Sequence, residues 1–155
     1  MNRAMTGAAL LIAALGLTAC GPRDAAAPPT VASAPMTVGP LTVENAVAHP
    51  PLGGQTTGVG YFVIRNAGDT ADRLVAATSA TAGSIELHTH TMAGGVMRME
   101  RIDGVDIPAH GEAVFQPRGL HLMLFNFAPS GGVAPVTLKF EMAGEATVDF
   151  VVAPR

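Results

Sequence analysis

The chain holds a single cysteine, no tryptophan and one tyrosine, and only 14% of its 155 residues are charged. One thiol cannot form an intrachain disulfide, a zinc–thiolate cluster or a redox dithiol, so those chemistries are excluded by count. Basic residues are also few, nine against twelve acidic ones, and they are scattered. A net charge of −3 without a basic stripe argues against nucleic acid as partner. No apolar run is long enough to cross a bilayer, and no glycine-rich loop has the spacing that cradles phosphate. At this length the chain allows one domain of ordinary size, which rules out a multidomain enzyme.

What is abundant is glycine and proline, 18 and 12 residues, in a chain that is 48% hydrophobic. That mixture fits short strands joined by many turns better than a helical bundle. Residues 1–19 carry one cation, Arg3, and an apolar run from Ala8 to Leu17, the pattern of an export signal. The run ends in Leu17-Thr18-Ala19-Cys20-Gly21, which looks like a bacterial lipobox, so Cys20 is expected to be lipidated and to become the first residue. Acyl chains rather than cationic attraction would then hold the protein to a membrane. Gly21 is not the aspartate that marks inner-membrane retention in some bacteria, so a periplasmic position on the outer membrane is favoured. Residues 20–40 are rich in Pro and Ala and poor in large apolar side chains, and are read as an extended tether.

From residue 41 to 155 the apolar pattern has period two, interrupted by turn signals, which predicts about nine short antiparallel strands in a Greek-key β-sandwich. Leu138, Phe140 and Met142 alternate with Lys139 and Glu141, and Val148, Phe150 and Val152 repeat the pattern after Gly144. These stretches predict a C-terminal hairpin, with Met142 filling a gap in the core. The run Gly58–Asn66 is more continuous and predicts a central strand. Other strands are expected near 41–48, 71–77, 83–89, 96–102, 111–116 and 121–127.

The chemistry is concentrated in one stretch. Of the ten His and Met residues in 41–155, eight lie between residues 88 and 123: His88, His90, Met92, Met97, Met99, His110, His121 and Met123. His88/His90, Met97/Met99 and His121/Met123 are each two apart, so each pair shares one face of a strand. Leu87, Leu122 and Leu124 alternate with them and claim the core face. A core has no use for several imidazoles interleaved with thioethers, so the cluster is read as an open metal site. His49, beside Pro50-Pro51, is read as a loop residue.

Neutral, soft thioether sulfur binds Cu(I) well and Zn, Mg, Ca or Mn poorly. A blue-copper electron carrier needs a thiolate, which residues 41–155 lack. Asp103, Asp106 and Glu112 form no evident acid/base pair and no nucleophile sits beside a base, so no enzymatic activity is expected.

At these residues the chain resembles the periplasmic PCu(A)C copper chaperones, whose signature is His, ten residues, Met, twenty-one residues, His, one residue, Met. His88, Met99, His121 and Met123 reproduce every spacing. Glu86-Leu87-His88, Gly95-Val96-Met97-Arg98-Met99 and Gly119-Leu120-His121-Leu122-Met123-Leu124 are similar to the family as well. The resemblance implies a cupredoxin-like β-sandwich and one Cu(I) at the surface. It also implies delivery to the copper-bearing subunit of a respiratory cytochrome oxidase, with a thioredoxin-like Sco protein as a further partner. Many relatives carry a His/Met-rich tail linked to a Cu(II) site; this chain ends at Val152-Ala153-Pro154-Arg155, so weak Cu(II) binding is expected. His90, Met92 and Met97 are accessory metal candidates, and a monomer is the expected state. Copper affinity is expected to fall as pH drops through about 6.5, where imidazole takes up a proton. Storage or resistance without transfer, and a tethered protein-binding sandwich without metal, are the rival readings.

Overall fold

The computed structural model describes residues 33–154, so the expected signal peptide, Cys20 and most of the tether lie outside the described residues. Among the described residues all regular structure is strand: β1 Met36–Val38, β2 Leu41–His49, β3 Gly58–Asn66, β4 Asp72–Thr78, β5 Ser84–Ala93, β6 Val96–Ile102, β7 Val105–Ile107, β8 Glu112–Phe115, β9 His121–Phe125, β10 Val133–Phe140 and β11 Glu145–Val152. The nine expected strands are all present. The two additional ones, β1 and β7, are three residues each, too short to display an alternation.

The strands follow the order β6-β5-β9-β3-β2-β11-β10-β4-β7, with β1 added to β2 and β8 to β3. The path turns at the β2–β11 junction, where only Val151↔Val47 and Val152↔Ala48 pair, in parallel. Either side of that seam, the two parts lay their apolar faces on one core. Leu41, Val43, Phe62, Ile64, Leu122 and Leu124 from one part meet Leu74, Val136, Leu138, Phe140, Val148 and Phe150 from the other. Phe62 stacks on Phe115 at 4.1 Å between centroids and meets Phe150 edge-on at 5.4 Å, the latter a geometry that aromatic quadrupoles favour. The C-terminal hairpin forms as expected, with Val136 opposite Val148 and Leu138 opposite Ala146.

Two expectations need correction here. The tether does not reach residue 40: β1 pairs with the first half of β2, and the hydroxyl of buried Ser33 accepts the Ala46 amide at 2.8 Å. That amide is freed by a bulge in β2, where Asn45 takes a left-handed φ of 56° and the register shifts between Glu44 and Val47. The three residues of β1 are thus held by backbone pairing with Val38 against the core, a run too short to show an alternation. Met142 is not core: Phe140 ends β10, and Met142 lies exposed in the turn before β11. Its amide and that of Ala143 donate to the carboxylate of buried Asp72, at 3.0 and 2.9 Å, which ties the turn to β4.

Candidate metal centre

The β5–β6 hairpin is closed by Gly94-Gly95, both with positive φ (59° and 80°), as a two-residue turn between Ala93 and Val96 requires. The turn fixes the register, and the register sets His90 opposite Met99 and Met92 opposite Met97. On the other flank of β5, His88 lies opposite His121 of β9, and Glu86 opposite Met123. Met123 in turn faces Val59 of β3. Period-two alternation therefore gathers Glu86, His88, His90, Met99, His121 and Met123 on one face of three adjacent strands.

His121 is 3% exposed, although it begins a strand at the edge of a cleft. The turn 116–119 is closed by the Gly119 amide donating to the Gln116 carbonyl at 3.0 Å, and the Gly119 carbonyl accepts His121 Nδ1–H at 3.0 Å. With its proton fixed on Nδ1, the neutral ring presents a bare Nε2, which lies 3.1 Å from Met99 Sδ. Burial is the main cause that holds the His121 pKa below 6.5. Nearby His90 and His88 push the same way, and the Gly119 hydrogen bond opposes them. Proton competition at this nitrogen thus begins at lower pH than the unperturbed value expected from sequence.

His88 is oriented from the opposite side. Its Nε2–H donates to Glu86 Oε2 at 3.0 Å, while Arg101 Nη1 lies 3.5 Å from the other oxygen of that carboxylate. A carboxylate behind an imidazole selects the tautomer that leaves the far nitrogen free to bind a metal. That far nitrogen, His88 Nδ1, is buried and has no hydrogen-bond partner, and the same holds for His90 Nδ1. The rings of His88 and His90 lie 5.9 and 4.9 Å from that of His121.

The cleft has a volume of about 260 Å³, and His90, Met99, His121 and Met123 line it together with Val59, Tyr61 and Gln55. Tyr61 is braced by the ring of His49, edge-on at 5.7 Å. His49 is not a loop residue as expected: it ends β2, and its Nδ1–H donates to the Ala153 carbonyl at 2.7 Å. His110 does not join the cluster either; it occupies a turn with φ 53° and pairs with Asp69 at 2.8 Å. Nearness in sequence misled here because β7 and β8 run between the hairpin and β9.

Of the sequence candidates, Met99 and His121 are brought into contact, His88 and His90 surround them, and Met123 lines the same cleft. Met92 and Met97 lie farther out along the hairpin. Tyr61 is a neighbour that sequence reasoning passed over, and Glu86, noted there only within Glu86-Leu87-His88, was given no role at the site. The i, i+2 spacing of Glu86 and His88 was the available signal for Glu86. Tyr61, in a continuous apolar run, gave none. Among the described residues no three His, Cys, Asp or Glu side chains are arranged to hold a metal ion without help from sulfur. The donor set is therefore imidazole with thioether, which fits a soft monovalent ion and not a hard divalent one.

Residues 24–152 match the LpqE-like lipoprotein family. A lipoprotein of Leifsonia xyli subsp. xyli is 34% identical over 145 residues, covering 89% of this chain and 81% of its own. Among solved structures, the copper-bound PCuAC domain from PmoF2 superposes with a TM-score of 0.67 at 30% identity, covering 79% of this chain and 99% of that domain. The Cu(I) form of DR1885 from Deinococcus radiodurans gives 0.60 at 25% identity, covering 78% of this chain and 81% of that one.

Proposed function

Because the chain belongs to the LpqE-like lipoprotein family and shares the fold of PCuAC domains, we propose that it is an extracytoplasmic copper chaperone. In this reading His88, Met99, His121 and Met123 hold one Cu(I). The carrying observation is the contact of His121 Nε2 with Met99 Sδ, two lone-pair donors 3.1 Å apart with the imidazole proton committed elsewhere. Two acceptors held that close are reconciled by a shared cation. Copper bound by neighbours of the same fold, the PmoF2 domain and DR1885, supports the same assignment.

The site is suited to release. Met99 sits on edge strand β6 and is half exposed, so an incoming ligand can displace its sulfur without disturbing the core. Stepwise exchange onto an acceptor that offers thiolates runs downhill, since this site contributes only neutral groups. That openness favours transfer over storage. The acceptor in this proposal is the copper-bearing subunit of a respiratory oxidase, with a Sco-like protein as a further partner. Lipidation at Cys20 would place the domain on the periplasmic side of a membrane, the outer one by the identity of Gly21.

The test is an anaerobic Cu(I) titration against a competing chelator, alongside a His121→Ala/Met123→Ala variant. One tight equivalent, lost in the variant, is the expected result. No competitive binding, or equal binding by both proteins, discards the copper reading and leaves a tethered protein-binding sandwich.

A further inference from the structure

The soft face of the hairpin does not stop at the cleft. One rung beyond the His90↔Met99 pair, Met92 and Met97 stand directly opposite each other, next to the Gly94-Gly95 turn. Facing side chains in such a pair have Cβ atoms about 5 Å apart, within reach of a common ligand for two thioethers. Alternation places both on the face that carries His90 and Met99.

Packing does not explain them. Met92 is 67% exposed and Met97 49%, and neither belongs to the apolar cluster of the core or packs against it. Methionine ordinarily fills irregular gaps in an interior. Here two of them are held in register, in water, by a turn that only glycine accommodates easily. Between them and the cleft stands His90, whose ring stacks on His121 at 4.9 Å and whose buried Nδ1 has no partner. Successive rungs on one face are about 7 Å apart. The hairpin thus presents Met92 with Met97 as an outer rung, His90 with Met99 as a middle one, and His121 across the strand boundary.

We infer that Met92, Met97 and His90 form a second, outer Cu(I) site, weaker than the one in the cleft. This rests on the copper reading of the cleft. Three neutral soft donors suit the low coordination numbers of Cu(I), and no electron is exchanged. The outer site is weaker because its sulfurs are solvated and because, unlike His88, His90 has no carboxylate behind it.

The experiment uses the lipidated protein in detergent, with methionine methyl groups labelled for NMR, titrated anaerobically with Cu(I) alone. The first equivalent is expected to move the methyl resonances of Met99 and Met123, and the second those of Met92 and Met97. In a Met92→Leu/Met97→Leu variant, which keeps volume and removes sulfur, the second equivalent is expected to bind at least tenfold more weakly while the first is retained. Resonances of Met92 and Met97 that stay in place at two equivalents, or an unchanged second affinity in the variant, overturn the outer site alone. A first equivalent that leaves Met99 and Met123 unmoved overturns the cleft site and the outer one with it.

Discussion

His121 and Met99, twenty-two residues apart in the chain, meet at 3.1 Å through Nε2 and Sδ, the one atom from a buried side chain and the other from a half-exposed one. One proposed ligand is thus fixed by the core and the other is delivered by an edge hairpin.

His121→Ala removes a buried ring together with its hydrogen bond to the Gly119 carbonyl. It should lower unfolding stability by about 1–3 kcal/mol, read from urea denaturation of the metal-free protein. Cu(I) affinity should drop by more than about 100-fold, since loss of a supporting residue behind a ligand alone costs 10–100-fold. A loss of stability with unchanged affinity would remove His121 from the ligand set.

Met99→Leu separates binding from folding. The position is exposed on an edge strand, so stability should stay within about 0.5 kcal/mol of the parent. Cu(I) affinity should nevertheless fall by roughly 10–100-fold, as for other changes close to a metal. Met142→Leu, in the exposed turn before β11, should change neither quantity and serves as the control for methionine chemistry as such.

The pH response follows from the lowered pKa of His121. In the unfolded chain this imidazole protonates near 6.5, whereas the folded protein resists protonation until lower pH. Its contribution is therefore complete above pH 6.5 and is lost as pH falls through the depressed folded value. Denaturation midpoints of the metal-free protein should be level from pH 8 to about 7 and should decline below 6.5. His121→Gln should flatten that decline; an equally steep decline in this variant would assign it to other groups.

Asp72 tests the opposite part of the sandwich. Its buried carboxylate accepts the amides of Arg73, Met142 and Ala143. Asp72→Ala leaves the two turn amides without their charged partner and should cost about 2–3 kcal/mol. Copper affinity at 25 °C should be unchanged, because none of these groups borders the cleft. A parallel loss of copper binding would show that the turn and the cleft are coupled.

The sequence made much of this legible, for reasons that can be named. β10 and β11 were readable because Leu138, Phe140, Val148 and Phe150 alternate over one buried face. The rows of His and Met were readable because the same alternation held through Leu87, Leu122 and Leu124, which left His88, His121 and Met123 on the other face. The resemblance to PCu(A)C proteins, drawn from four residues at two long spacings, agrees with the fold of its solved relatives. β1 escaped notice because Met36–Val38 is held by backbone pairing and by the Ser33 hydroxyl, neither of which leaves an apolar period. The displacement of His110 was equally invisible, since it depends on where β7 and β8 carry the chain. Strand period alone does not rank two histidines at i and i+2; the spacing shared with PCu(A)C proteins selects His88. His88 is set apart by the Glu86 carboxylate behind it, and His90 by its closer approach to His121 and its place in the cleft lining, both matters of side-chain geometry.

The bulge in β2 that engages Ser33 has a consequence for how the domain is carried. Residues 21–32 include three prolines, and a fully stretched chain gains about 3 Å per residue. With Ser33 already held in the fold, lipidation of Cys20 as proposed would leave a leash of at most roughly 40 Å, where a tether running to residue 40 would allow roughly 60 Å. A domain on the shorter radius sweeps a hemisphere less than one third as large in volume. So anchored, it would meet other proteins on the same membrane more often and targets deeper in the compartment less often.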